Sequence, residues 1–100
     1  MSISLLDHTM KDGWRLFLTL PASTSWYDLR DHLAALPGVE ITGFLTDEVT
    51  EVWIDLAFQG QAFSINNQHG EYWFFVRDPA CPDKILQAVA DHCAVLLGTP

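Results

Sequence analysis

The stretch that decides the fold is Ser64-Ile65-Asn66-Asn67-Gln68-His69-Gly70-Glu71-Tyr72-Trp73-Phe74-Phe75-Val76, a polar turn that runs into five successive aromatic or branched residues. Successive side chains of a strand point to opposite sides of the sheet. A strand that is apolar on both sides therefore buries both faces or presents one of them to a partner. The pattern predicts a β-hairpin closed at His69-Gly70, and its aromatic excess raises the question of binding.

A second hairpin precedes this one with the same period of two. Apolar residues alternate along 52–58, and Gln59-Gly60 favours a two-residue turn because glycine readily adopts the positive φ that such turns need. A slip of one residue would move every side chain to the other face, so a consistent apolar face supports the register. The predicted pairs on that face are Leu56 with Phe63, Ile54 with Ile65, Ile65 with Phe74 and Phe63 with Val76.

Two further strands are predicted from alternation. Trp14 to Leu20 alternates, with Trp14, Leu16, Leu18 and Leu20 on one side and Arg15, Phe17 and Thr19 on the other, and Pro21 ends the strand. From Val39 to Thr46 the period is again two. This pattern places Val39, Ile41 and Leu45 on one side and Glu40, Thr42 and Phe44 on the other.

Two amphipathic helices flank the last four strands. Ser25 and Asp28 form a capping box before the stripe Trp26, Leu29, Leu33 and Leu36, and Pro37-Gly38 ends this helix. After the break at 78–82, Pro82 suits the first position of a second helix. Its apolar stripe comprises Ile85, Leu86, Val89, Cys93, Leu96 and Leu97.

The element order is β-α-β-β-β-β-α, which predicts an α+β two-layer sandwich: an antiparallel sheet of about five strands with two helices on one face. The 100 residues are expected to form a single globular domain, 1–100, in which 1–13 is a loosely patterned N-terminal arm or a short strand. No repeat, linker or low-complexity segment interrupts it.

Composition restricts the class of partner. An apolar fraction of 49% excludes disorder, and a net charge of -8 repels phosphate backbones and anionic lipid. We therefore expect no nucleic-acid or membrane partner, whereas a cationic protein surface is a reasonable one. The N-terminus lacks a signal-peptide pattern, which favours a cytoplasmic protein, and Cys81 and Cys93 are expected to be reduced thiols.

The predicted register concentrates aromatic residues on the sheet face away from the helices. One row on that face is Phe44, Trp53, Asn66 and Trp73, and the next is Thr42, Asp55, Ser64 and Phe75. A contiguous aromatic patch marks an interaction site more often than bare solvent surface. The alternative is that the N-terminal arm covers this face. The predicted interaction surface comprises Phe44, Trp53, Asp55, Asn66, Trp73 and Phe75.

Residues with catalytic or metal-binding potential are isolated from one another. Cys81 precedes a helix start but has no local base, and the histidines lack paired ligand spacing. The acidic loop residues Asp47, Glu48 and Glu51 lack the pattern of a calcium loop, and turn formation explains Asn66 to Gln68. We predict no catalytic residue, no metal site and no cofactor.

Two families share parts of this plan. The order of a helix, strands and a closing helix resembles double-stranded RNA-binding domains. Those domains need a basic C-terminal helix. In this chain, residues 82–98 contain only Lys84 as a basic residue besides His92. Acidic composition and Ile65-Asn66-Asn67-Gln68 before Trp73 are slightly similar to frataxins, but here a strand precedes the first helix and no dense acidic ridge is present. Both resemblances concern topology, which does not establish function.

The leading functional hypothesis is a small, acidic, non-enzymatic protein-interaction module that associates through the aromatic face. A homodimer is its simplest form, because a two-fold interface needs only one self-complementary patch. The alternative is an immunity or inhibitor protein that covers a basic enzyme with Glu40, Asp55 and the acidic loop around an aromatic anchor. A third class is a metal-binding or thiol-dependent protein that uses Cys81, His69 or that loop.

Overall fold

The computed structural model describes residues 3–98 of the chain. Its elements are β1 (His8–Thr9), β2 (Arg15–Pro21), α1 (Trp26–Ala34), β3 (Glu40–Thr46), β4 (Val52–Phe58), β5 (Gln61–Asn66), β6 (Glu71–Val76) and α2 (Asp83–Leu97). The strands form one antiparallel six-stranded sheet in the spatial order β1-β2-β6-β5-β4-β3. The predicted α+β class is confirmed, and the extra strand is the short β1 of the N-terminal arm.

The register predicted for the central strands is confirmed at every pair. Leu56 faces Phe63, Ile54 faces Ile65, and Phe74 faces Ile65 from the other side. Gln59 and Gly60 have φ values of 53° and 76°, the positive pair that a type I′ turn requires. Alternation and turn chemistry therefore specify the same pairing, which fixes the side chains that face the helices.

The core lies between this sheet and both helices. Leu29 and Leu33 of α1 and Val89 and Cys93 of α2 are fully buried against the inner face of β4, β5 and β6. The predicted cap of α1 is present, since the Ser25 side chain accepts a hydrogen bond of 3.2 Å from the Asp28 amide. Because both helices bury their stripes on one face, neither of them lies on the opposite face of the sheet.

A pair of histidines joins the two helices. The rings of His32 and His92 stack with centroids 4.0 Å apart, and each Nε2 donates to the backbone carbonyl of the other residue. Reciprocal bonds of this kind fix the rotation of α1 against α2, because both rings and both carbonyls must meet at once.

A bulge in β2 changes which of its residues face the core. Leu16 pairs with Phe75 and Leu18 with Phe74, so Phe17 is the extra residue between two consecutive partners. Phe17 is fully buried, with its ring edge-on to that of Phe63 at 5.7 Å. The predicted strict alternation was therefore wrong here, since Leu16 and Leu18 lie on opposite faces.

A second bulge corrects the predicted position of Phe44. In β3, Ile41 pairs with Leu56 and Gly43 with Asp55, so one residue is inserted and Phe44 comes to face Ile54 on the helix side. Its ring lies 5.7 Å from that of Tyr27, and the Arg30 guanidinium lies 4.8 Å above it. The assignment of Phe44 to the outer aromatic face was wrong. Leu45 lies on that face instead, with 66% of its surface exposed.

The described part of the N-terminal arm runs along α2. The Ile3 amide donates to Asp91 Oδ1 at 3.2 Å, and Gln87 Nε2 donates to the Ile3 carbonyl at 2.8 Å. The Arg15 side chain, which is nearly buried, donates from Nε and from a terminal guanidinium nitrogen to the Leu6 carbonyl, at 3.1 and 2.8 Å. Arg15 therefore ties the arm to the sheet. Neither described helix is long and apolar enough to cross a bilayer.

Replacing Arg15 with methionine is expected to lower the free energy of unfolding by about 1–2 kcal/mol, because two hydrogen bonds from a charged donor are lost. Its ion pairs with the exposed Asp7 and Asp83 contribute little of this, since water screens them. Chemical denaturation measures the change. Arg77→Met is the matched control, because Arg77 is exposed and its side chain has no hydrogen-bond or ion-pair partner among residues 3–98. Equal losses in the two variants would contradict this role for Arg15.

An aromatic groove on the outer face of the sheet

Cross-strand pairing arranges the outer face in rows. The first row contains Leu45, Trp53, Asn66, Trp73 and Thr19. The second row contains Gly43, Asp55, Ser64, Phe75 and Leu16. A third row begins with Ala57 and Ala62 and reaches Arg77, whose amide donates to the Ala62 carbonyl at 2.9 Å. Neighbours within a row lie one strand spacing apart, about 4.8 Å.

The middle of this face is hollow because its central side chains are small. Ala62 and Ser64 lie between Trp53 and Trp73 on one side and Trp14 on the other, and together they line a groove of about 650 Å³. This volume is within the range of pockets that accept a small ligand or a few side chains. The outer face is thus concave, with its largest rings at the walls.

The N-terminal arm, as described from residue 3 onward, forms one wall of the groove without covering it. Met10, Asp12 and Trp14 line the groove from the turn between β1 and β2. That turn is closed by the Met10 amide, which donates to the Trp14 carbonyl at 2.7 Å, and by the Trp14 amide, which donates to Asp12 Oδ1 at 3.0 Å. The described arm residues before β1 pack toward α2 instead, which leaves the outer face open.

Most of the predicted interaction surface lies in this groove. Trp53, Asp55, Asn66, Trp73 and Phe75 all line it, whereas Phe44 faces the helices. The prediction missed Trp14 and Arg77. Trp14 had been grouped on one side with Leu16, Leu18 and Leu20, and the bulge at Phe17 separates Trp14 and Leu16 from Leu18 and Leu20. Three consecutive apolar residues, 16–18, were the available signal of that bulge.

Trp73 is the centre of a chain of ring contacts. Its indole lies 4.1 Å from the His69 ring, with an interplanar angle of 31°, and 6.3 Å from the Phe75 ring. His69 is exposed on the loop before β6, so the stack extends the aromatic wall beyond the strand. A half-buried tryptophan supported in this way offers a rigid apolar surface of the type found at interface centres.

The charges of the groove are separated between its two ends. Asp12 and Arg77 belong to the end formed by Trp14, since Asp12 Oδ1 accepts from the Trp14 amide and Arg77 follows Val76, the partner of Arg15. Asp55 belongs to the end formed by Trp53 and Trp73. Its carboxylate is exposed and has no hydrogen-bond or ion-pair partner within residues 3–98. This end of the groove therefore carries a negative charge that the described chain does not neutralise.

The thiols lie in surroundings that oppose nucleophilic chemistry. Burial raises the pKa of Cys81, and the nearby Asp78 carboxylate raises it further. Burial in the core raises the pKa of Cys93 to about 12. An activated thiol needs the reverse, an electropositive and accessible setting that favours thiolate.

The acidic loop is organised by its own backbone. Asp47 Oδ1 accepts hydrogen bonds from the amides of Val49, Thr50 and Glu51 at 2.9, 2.8 and 3.0 Å. These bonds hold the pKa of Asp47 far below its usual range, and the bond from the Glu51 amide has the largest effect. The Asp47 carboxylate thus stabilises the loop by accepting hydrogen bonds from its backbone. In the part of the chain that the structure describes, no three histidine, cysteine or acidic side chains are grouped for metal coordination.

Asn67 connects two loops at one end of the sheet. Its Oδ1 accepts from the Val52 amide at 3.0 Å and its Nδ2 donates to the Thr50 carbonyl at 2.9 Å. The adjacent Asn66 accepts from the Gln68 amide at 3.3 Å. The side chains of Asn66 and Asn67 thus stabilise the turn through hydrogen bonds to the backbone, as predicted. Asn66 also lines the groove, between the two tryptophans.

Comparison with protein-family models, curated proteins and solved structures finds no match for this chain.

Proposed function

We propose that this protein is a small, acidic, non-enzymatic protein-interaction module that receives a segment of another protein in the aromatic groove. The observation that carries the proposal is the open concavity of about 650 Å³ whose walls hold Trp14, Trp53 and Trp73. Aromatic residues in a concave, partly desolvated setting are the usual anchors of protein interfaces. A cytoplasmic location is part of the same proposal.

Concavity favours a protruding segment over a second copy of the same face. A two-fold dimer apposes identical patches, and two hollows facing each other would leave the small floor residues Ala62 and Ser64 without contacts. A loop or extended peptide would fill the same space. Sedimentation of the parent protein distinguishes the two forms, since the homodimer alone predicts a doubled mass.

An inhibitor of a basic enzyme is the second candidate. The net charge of -8 favours encounter with a cationic target, and Asp55, which has no ion-pair partner within residues 3–98, lies beside the aromatic anchors. In that case the segment in the groove belongs to the enzyme. Binding would weaken steeply with salt, which separates this candidate from an apolar partner.

Selection from a random peptide library displayed on phage tests the module without assuming a ligand. Peptides that bind the parent are expected to lose at least 2 kcal/mol, about 30-fold in affinity, against Trp53→Ala. Tyr27→Ala is the matched control, because Tyr27 is a partly exposed aromatic residue on the helix side. Circular dichroism checks that both variants fold.

Two outcomes would overturn the interaction module. One is a selection that enriches no peptide. The other is a set of peptides that bind Trp53→Ala and the parent equally, which would place recognition away from the groove.

A further inference from the structure

The end of the groove formed by Trp53, Trp73 and Asp55 combines aromatic faces with one carboxylate. Trp53 and Trp73 flank Asn66 on neighbouring strands, so their Cα atoms are two strand spacings apart, about 10 Å. A side chain lying above Asn66 can therefore contact both indoles. Asp55 is two residues from Trp53 on the same strand and faces the same side.

This combination suits a cation. The face of an indole attracts a cationic group held within about 6 Å, and the attraction is strongest for tryptophan. A carboxylate beside the rings supplies the counter-charge and accepts hydrogen bonds from the cation. Ser64, which pairs with Asp55 across the strands, offers a further hydroxyl acceptor.

The same combination occurs within the described chain itself. On the helix side, the Arg30 guanidinium lies 5.4 Å from the Tyr27 ring centroid and 4.8 Å from that of Phe44. Its Nε donates to Asp31 Oδ1 at 3.1 Å. Two rings and one carboxylate thus hold a guanidinium there, whereas the outer face presents two rings and one carboxylate to solvent.

We infer that the segment bound by the proposed interaction module carries an arginine, and that its guanidinium binds between Trp53 and Trp73 against Asp55. Arginine suits this site better than lysine, because its planar group stacks on indoles and presents several N–H donors in a fixed fork. Arg77 lies beside Ala62, two rows along the strands from Trp53 and Trp73, so its charge is displaced from this site.

Titration with acetyl-Gly-Arg-Gly-amide, followed by tryptophan fluorescence, tests the inference directly. The dissociation constant is expected in the millimolar range or tighter, as for small ligands of this size. The citrulline peptide, which keeps the shape without the charge, is expected to bind at least fivefold more weakly, and the lysine peptide also more weakly than the arginine peptide.

The variant Asp55→Asn tests whether the Asp55 carboxylate is the counter-charge for the guanidinium. Because Asp55 is exposed and unpaired within residues 3–98, the variant is expected to fold as the parent does. It is expected to weaken arginine-peptide binding about fivefold and to leave citrulline-peptide binding unchanged. Asp12→Asn is the matched control, because that carboxylate lines the opposite end of the groove, and it is expected to change neither.

The outcomes separate this inference from the interaction module itself. Suppose that the selected peptides contain no arginine, lose affinity for Trp53→Ala and bind Asp55→Asn as tightly as the parent. That result would overturn the arginine assignment but leave the proposed interaction module intact. Equal binding of the arginine, lysine and citrulline peptides would also overturn it. An arginine peptide that does not bind, together with an empty library selection, would overturn both.

Discussion

Phe74→Ala is expected to lower the free energy of unfolding by about 3–5 kcal/mol, whereas Trp73→Ala costs about 1 kcal/mol. Phe74 is only 1% exposed, lies between Leu18 and Ile65 on neighbouring strands and contacts the Phe17 ring, so truncation leaves a cavity in the core. Trp73 faces the open groove, where water replaces part of the deleted ring. Denaturant titration of both variants measures the difference.

The two residues are neighbours on β6 and point to opposite faces of the sheet, so both variants change an aromatic residue at the same place in the strand. Equal destabilisation would mean that Trp73 is packed as a core residue and that the groove is not open. A large loss of peptide binding with a small loss of stability would instead assign Trp73 to recognition.

The central sheet and the helices were predictable because several local signals agreed. In residues 52–76, alternation and two glycine-containing turns specify one register, and a slip would have exposed a whole apolar face. Ser25 and Asp28 marked the start of α1 for the same reason, as the cap satisfies backbone donors that the helix leaves free.

The bulges were not predictable from alternation alone. An inserted residue changes the phase of a strand from that point onward, so Phe44 and Leu45 exchanged faces in β3. The β3 sequence alternates equally well without a bulge, and the contacts that decide the outcome, between Phe44, Tyr27 and Arg30, involve a separate helix. Tertiary packing therefore decided what the local pattern left open.

The groove was predictable in part. The rows containing Trp53, Asn66 and Trp73 follow from hairpin register, which is local. Its other wall depends on β2 pairing with β6, a contact between distant parts of the chain that brings Trp14 beside Arg77. No local pattern in residues 8–21 specifies that partner strand, so the sequence indicated an aromatic face but not its concave shape.

Alkaline pH is expected to destabilise the protein, and Cys93 is expected to be the largest single cause. The pKa of this thiol is raised from 9.0 to about 12 by burial, so the folded state keeps a proton that the unfolded chain releases. Stability from this group is complete below pH 9 and falls as pH rises toward 12. One pKa unit corresponds to about 1.4 kcal/mol, so the loss is about 1.4 kcal/mol between pH 8 and 10 and about 4 kcal/mol at pH 12.

Cys93→Ala tests whether this thiol causes the pH dependence of the free energy of unfolding. The variant is less stable already at neutral pH, but a constant difference does not change the slope of that free energy against pH. The variant is expected to lose less stability than the parent between pH 8 and 10. Burial also raises the pKa values of Cys81 and Tyr72, which act in the same direction, so Cys81→Ala is the matched control and removes a smaller part of the slope. A parent slope that survives Cys93→Ala unchanged would show that this thiol ionises without unfolding, and that α2 opens enough to hydrate it.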